Sequence, residues 1–239
     1  MSRIYFIRHG QASYLSNNYD KLSKIGESQS KELGKYFNKQ EVRFDKLYVG
    51  PLERQRRTLE ISHDHIYNNG SPKPSVTLLH EMREHDGPKA LKIEYKKLVL
   101  VDDIVRNLDD EIKQKPELKR KNSLKIFEHF IVKWTTGQYH VDHPEVQPWM
   151  DFRNSVRQGL DKVLTEIKRG DTVGVYTSGG TISALIAETL GIHDQAKVAE
   201  LNFLVRNTSI TQFEYSQGKF NLLSFNELPH LPKELITYV

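Results

Sequence analysis

The sequence predicts an α/β fold, a three-layer αβα sandwich on a mainly parallel mixed sheet with a helical insertion, and three observations lead there. Short runs rich in β-branched and aromatic residues recur at Ile4–Ile7, Lys46–Val49, Ser75–Leu79 and Thr172–Tyr176. Glycine, proline or charge bounds each of them, as at strands running into loops. Helix-patterned segments separate the runs, and alternating strands and helices make a parallel sheet with helices on its faces.

The elements follow in order. Ile4-Tyr5-Phe6-Ile7 ends at Arg8-His9-Gly10, a buried strand entering a loop of chemistry-capable residues. Ser23 is placed to cap a helix to about Phe37, with Ile25, Leu33, Tyr36 and Phe37 on one face. Lys46–Val49 is broken by Gly50-Pro51, and Pro51 suits the opening of a helix from Leu52 to about Ser62. Asn68–Pro72 reads as a loop, and the third strand at 75–79 leads into His80–Gly87. From about 88 to 146 the chain is charged, helical in pattern and free of strand signal, so it reads as an insertion. Trp149, Phe152, Val156, Leu160, Val163 and Ile167 then recur at steps of three and four, with Pro148 before them and Gly170 after. The strand at 172–176 feeds Thr177-Ser178-Gly179-Gly180 and a very apolar helix ending near Leu190-Gly191. Two more strands, Ser209–Tyr215 and Phe220–Ser224, surround the turn Ser216-Gln217-Gly218. With no repeat, low-complexity stretch or linker, residues 1–239 read as a single domain carrying the insertion.

Composition narrows the function. At 239 residues and 37% hydrophobic content the chain can fill a core, and no apolar run approaches the roughly 20 residues that span a bilayer. No secretory signal is visible at the N-terminus, so the expected location is cytoplasmic. The absence of cysteine excludes disulfides, thiolate metal sites and a cysteine nucleophile. A net charge of +4, from 35 basic and 31 acidic residues, suits an anionic ligand but not a nucleic-acid or membrane partner. The basic run Lys113–Lys125 reads as a solvated helical face. His63-Asp64-His65 and the group His140, Asp142 and His143 read as surface residues rather than metal ligands.

In a parallel sheet the loops at the strand C-termini converge, and here they bring together Arg8, His9, Arg54, Glu81 or Glu84, and Ser178-Gly179-Gly180. Two guanidinium forks and a helix N-terminus match the oxygens of a phosphoryl group. A neutral imidazole beside them can attack phosphorus, and a carboxylic acid can protonate the departing oxygen.

Arg8-His9-Gly10-Gln11-Ala12 after an N-terminal strand resembles the opening motif of the histidine phosphatase superfamily, the phosphoglycerate mutase-like proteins. Leu22-Ser23-Lys24-Ile25-Gly26-Glu27-Ser28-Gln29 is similar to that family's second block, and Gly50-Pro51-Leu52-Glu53-Arg54-Gln55-Arg56-Arg57-Thr58 to its second-arginine block. Asn207-Thr208-Ser209 before a strand also fits, so the likeness spans most of the chain outside 88–146. The resemblance implies that His9 accepts the phosphoryl group and that Arg8 and Arg54 clamp its oxygens, with no metal and no cofactor. It puts the acid after the third strand, where Met82-Arg83-Glu84-His85-Asp86 matches better than Leu79-His80-Glu81. Glu84 is therefore the expected acid and Glu81 the reserve. One position departs: where this family usually has a second histidine, the chain has Ser178, which with Gly179 completes the expected phosphate site as a hydroxyl and a backbone N–H.

The expected function is a metal-independent phosphomonoesterase working through a phosphohistidine on a phosphorylated small molecule or phosphoprotein. The alternatives are a degenerate member that binds a phosphorylated ligand without turnover, or a phosphoglycerate-type mutase. The oligomeric state is left open by the sequence.

Overall fold

The alternation of side chains along the first strand decides how the layers are arranged. In the computed structural model, which describes residues 1–13, 20–68, 70 and 72–238, β1 (Ser2–Arg8) sends Ile4 and Phe6 to one face and Tyr5 and Ile7 to the other. All four are buried, so both faces of the sheet must be covered.

The helices of the chain are α1 (Lys24–Lys39), α2 (Glu53–Ile66), α3 (Gly87–Val101), α4 (Asp103–Gln114), α5 (Lys119–Thr135), α6 (Trp149–Glu166), α7 (Gly179–Leu190) and α8 (Gln195–Leu204). The remaining strands are β2 (Lys46–Val49), β3 (Val76–Leu78), β4 (Thr172–Thr177), β5 (Ile210–Ser216) and β6 (Lys219–Glu227). Their order across the sheet is β3-β2-β4-β1-β5-β6. Neighbours from β3 to β1 are parallel, and the β1/β5 and β5/β6 pairs are antiparallel, giving the expected mainly parallel mixed sheet. Leu33 and Phe37 of α1 and Leu59 and Ile66 of α2 pack with Tyr5 and Ile7. Phe152, Val156 and Val163 of α6 and Ile182, Leu185 and Ile186 of α7 pack with Ile4 and Phe6.

Most elements lie where expected, and the departures have physical causes. Ser23 caps α1 by accepting from the Gly26 N–H at 3.0 Å, but Ile25 is 41% exposed, the buried face of α1 running instead through Gly26, Gln29, Ser30, Leu33 and Phe37. Helix α2 continues to Ile66, one turn beyond Ser62, since Ile66 is itself buried against the sheet. Strand β3 is only three residues long and sits at the sheet's edge with all three exposed. The segment expected from about 88 to 146 carries α3, α4 and α5 but no helix beyond Thr135, and Gly137 at φ 77° follows the end of α5. Helix α8 was not anticipated; Asp194 starts it by accepting from the Ala196 and Lys197 N–H groups. The β5–β6 turn places Gln217 and Gly218 at φ 51° and 76°, the left-handed pair of a tight hairpin. Of the expected loop at 68–72, Asn69 and Ser71 lie outside the described residues. Among the described residues no helix is long and apolar enough to cross a membrane.

Candidate active site

Parallel register brings the ends of β1, β2 and β4 level. The His9 N–H donates to the Thr177 carbonyl at 2.9 Å and the Gly50 N–H to the Tyr176 carbonyl at 3.0 Å, so the three loops that follow leave the sheet side by side. Gly10 then passes against the backbone of Gly26, where a β-carbon would meet the Gly26 carbonyl, and its N–H donates to Thr58 Oγ1 at 2.9 Å. This close approach seats the His9 loop between α1 and α2.

His9 is 3% exposed. Its Nδ1 lies 2.7 Å from the Gly10 carbonyl oxygen and Arg54 Nε donates to its Nε2 at 3.0 Å, which fixes the proton on Nδ1 and the lone pair on Nε2. Burial, then the charges of Arg54 and Arg8, holds the proton affinity of the ring well below the usual histidine range. At neutral pH His9 is an uncharged imidazole with Nε2 facing an arginine. The Thr208 N–H at 3.2 Å and Asn207 Nδ2 at 3.3 Å donate to the His9 carbonyl, and Thr208 adopts φ 56° to do so.

Arg54 occupies the first turn of α2 and is 7% exposed. Its Nη1 donates to Asp20 Oδ1 at 2.7 Å, while Asp20 Oδ2 accepts from the Glu53 N–H at 2.8 Å. Asp20 thereby orients Arg54 and satisfies an unpaired donor of the helix start. Arg57, one turn on, is half-exposed and pairs with Glu60.

Gln55 ties three loops together. Its Oε1 accepts from the Leu52 N–H at 3.1 Å, and its Nε2 donates to the Met82 carbonyl at 3.1 Å and to Ser178 Oγ at 2.8 Å. Thr177 Oγ1 also donates to the Met82 carbonyl, and Thr181 Oγ1 to that of Arg83. The segment after β3 is thus strapped to the start of α7, and Glu84 lands there: its Oε2 accepts from the Gly180 N–H at 3.3 Å and its Oε1 from the His85 N–H at 3.0 Å. Glu81 goes the other way and pairs with Lys162 of α6 at 2.5 Å. Of the two carboxylates the sequence left open, only Glu84 reaches the helix terminus.

Ser178 is fully buried at the N-cap of α7, but its hydroxyl makes no capping bond and instead accepts from Gln55. A plain helix cap therefore does not account for it. Arg8 flanks Gly179 on one side, and its Nη1 donates to the backbone carbonyls of Val205 and Tyr238, the latter at 2.9 Å. Gln29 holds the segment before Tyr238, its Nε2 donating to the Leu235 carbonyl and Thr237 Oγ1 at 2.7 and 2.8 Å. The sequence did not assign roles to Asp20, Gln55 or His85, nor single out Asn202; each acts through partners far away in the chain. His63 corrects another expectation: it is buried, edge-on to Tyr67 at 4.6 Å, rather than at the surface. Among the described residues no group of three acidic or histidine side chains could hold a metal ion.

The model of the histidine phosphatase superfamily (branch 1) matches residues 4–90 and 115–228, which include Arg8, His9, Arg54, Glu84, Ser178 and Gly179. The chain belongs to the histidine phosphatase superfamily. The gap in the match, residues 91–114, falls on most of α3 and on α4. No curated protein sequence matches. Solved structures with the same fold include YhfR of Bacillus stearothermophilus, at 19% identity and TM-score 0.62 over 96% of this chain and 99% of that one. A phosphoserine phosphatase mutant of Entamoeba histolytica, solved with phosphoserine, has 19% identity and TM-score 0.60 over 97% and 100%. The phosphoglycerate mutase of Bacillus anthracis has 17% identity and TM-score 0.63 over 96% and 94%. At these identities the likeness concerns the fold.

Buried neutral histidines give this superfamily member an acid-side weakness. Burial lowers the proton affinity of His9, His63, His85 and His230, the last to about 4, whereas an unfolded histidine titrates near about 6.5. Below 6.5 the unfolded chain binds more protons than the folded one, so stability rises with pH across the window from about 4.5 to 6.5 and falls on acidification. The slope should reach roughly 1.4 kcal/mol per pH unit for each fully differential histidine. Thermal melts across that window test it, and a flat melting temperature would contradict it.

Proposed function

We propose that the protein is a phosphomonoesterase that works through a phosphohistidine on His9, without a metal, on a phosphorylated small molecule. The observation that carries this reading is the His9 ring: its Nδ1–H is committed to the Gly10 carbonyl, and its Nε2 lone pair points at an arginine suited to phosphoryl oxygens. Membership of a superfamily of phosphatases and mutases agrees with it, as do related folds solved with phosphoserine and with 3-phosphoglyceric acid.

The steps balance with the residues present. As a phosphate monoester enters, the Arg54 Nε–H passes from His9 Nε2 to a phosphoryl oxygen, freeing the lone pair. Nε2 attacks phosphorus, the P–O ester bond breaks, and its electron pair leaves with the oxygen, which takes the proton of Glu84. Water then attacks phosphorus with Glu84 as base, the N–P bond breaks, and Nε2 recovers its lone pair as phosphate departs. Arg8, Arg54, the Ser178 hydroxyl and the Gly179 N–H serve the transferring oxygens, and the positive end of α7 favours their charge. Residues 88–146 act in this reading as an insertion within a single domain, walling the pocket and selecting the substrate.

Turnover of p-nitrophenyl phosphate in excess chelator, with acid-labile label trapped on His9, is the expected result. Binding without turnover would favour a ligand-binding role, and transfer of phosphate back to an acceptor a mutase. Ser178→Ala is expected to lower kcat/KM by about tenfold to a hundredfold, less than the loss of a charged donor, because only one neutral hydroxyl disappears. Equal activity in both proteins would remove Ser178 from the phosphate site.

A further inference from the structure

His85 is a polar ring in an apolar place. It is 5% exposed, with Trp149 at 5.8 Å, Phe152 at 5.7 Å and Trp134 at 6.1 Å between ring centroids. A phenylalanine would suit those walls better, since burying an imidazole costs free energy unless both nitrogens find partners. Nδ1 finds one within the chain's own turn: the Gly87 N–H donates to it at 3.0 Å, which puts the proton of the neutral ring on Nε2. The acceptor that faces this Nε2–H is Glu84 Oε1, 3.6 Å away, because the Asn202 atom at 3.2 Å is Nδ2, itself a donor. Gly180 makes the arrangement possible, because a β-carbon there would run into both Glu84 Oε1 and His85 Cδ2.

Resting on the reading of Glu84 as the acid, we propose that His85 is its positioning residue, presenting Nε2–H to the carboxyl so that it stays aimed at the departing oxygen from the N-terminus of α7. The ring is itself held by Gly87 at the start of α3 and by the aromatic wall of α5 and α6, with Asn202 of α8 packed beside Nε2. The charged groups that act on it are Glu84, Asp86 and Arg54. Its neutrality matters, because a cation there would hold the carboxyl ionised when it must carry a proton.

Leaving-group dependence separates positioning from mere packing. Phosphoserine loses a poor leaving group that needs a proton, whereas the nitrophenolate of p-nitrophenyl phosphate departs with little help. Glu84→Gln should therefore cost phosphoserine about a hundredfold or more in kcat and p-nitrophenyl phosphate far less. His85→Phe, shaped for the aromatic wall, should show the same selective loss at about tenfold to a hundredfold, and His85→Gln, which keeps a donor, should recover most of it. If Glu84→Gln is not selective, the acid assignment fails. If Glu84→Gln is selective and a folded His85→Phe is not, the positioning role alone fails. Should His85→Phe not fold, a folded His85→Gln as impaired on phosphoserine as Glu84→Gln would also overturn it.

Discussion

His9→Ala is expected to reduce kcat for phosphate monoesters by at least about 10⁴-fold, since the variant removes the nucleophile of the proposed phosphohistidine step. The chain holds no cysteine, and the Ser178 hydroxyl is engaged as the acceptor of a bond from Gln55. The melting temperature should change little by comparison, because the side chain contributes one hydrogen bond to Gly10 and one from Arg54. Steady-state turnover and a trapping experiment with labelled substrate decide the matter together. A variant that keeps a tenth of the activity, or still traps acid-labile label, would rule out the proposed covalent step.

Arg54→Ala is the second large effect. Arg54 touches His9 through Nε and Asp20 through Nη1, so its removal takes away the proposed phosphoryl donor and the Asp20 ion pair together. A loss of about 10²–10³ in kcat/KM is expected, with a parallel weakening of vanadate inhibition. Arg57→Ala, on the same basic helix but half-exposed and paired with Glu60, should stay within about twofold. Equal losses in the two variants would mean that the helix contributes only a diffuse positive field.

Much of this site was legible because its parts are local signals. A buried strand that stops at Arg8-His9-Gly10, and a strand that runs into Ser178-Gly179-Gly180, are read from a few consecutive residues. What escaped depends on contacts between distant segments. His85 looked like one member of a charged cluster with Glu84 and Asp86, because the rings that bury it come from α5 and α6. Asp20 gave no sign of reaching Arg54, and nothing near Arg8 announces the carbonyls of Val205 and Tyr238. Helix α8 escaped because its apolar residues form no single stripe: Val198 and Ala199 are buried, whereas Leu204 is exposed.

The place of β1 in the sheet has a consequence for how the protein is made. The strand that leads into His9 is synthesised before the other strands of the sheet, yet Ile4 pairs with Val173 on one side and Phe213 on the other. At roughly 5–20 residues per second, a ribosome leaves it without either neighbour for about ten seconds or longer. Throughout that interval Ile4-Tyr5-Phe6-Ile7 is an apolar segment with two open hydrogen-bonding edges, the kind of template that joins the wrong chain. Assembly of the nucleophile's loop is therefore a late event in folding, governed by long-range closure. Any chain interrupted before β5 carries its histidine on an unsheltered strand, a form suited to chaperones and proteases rather than to substrate.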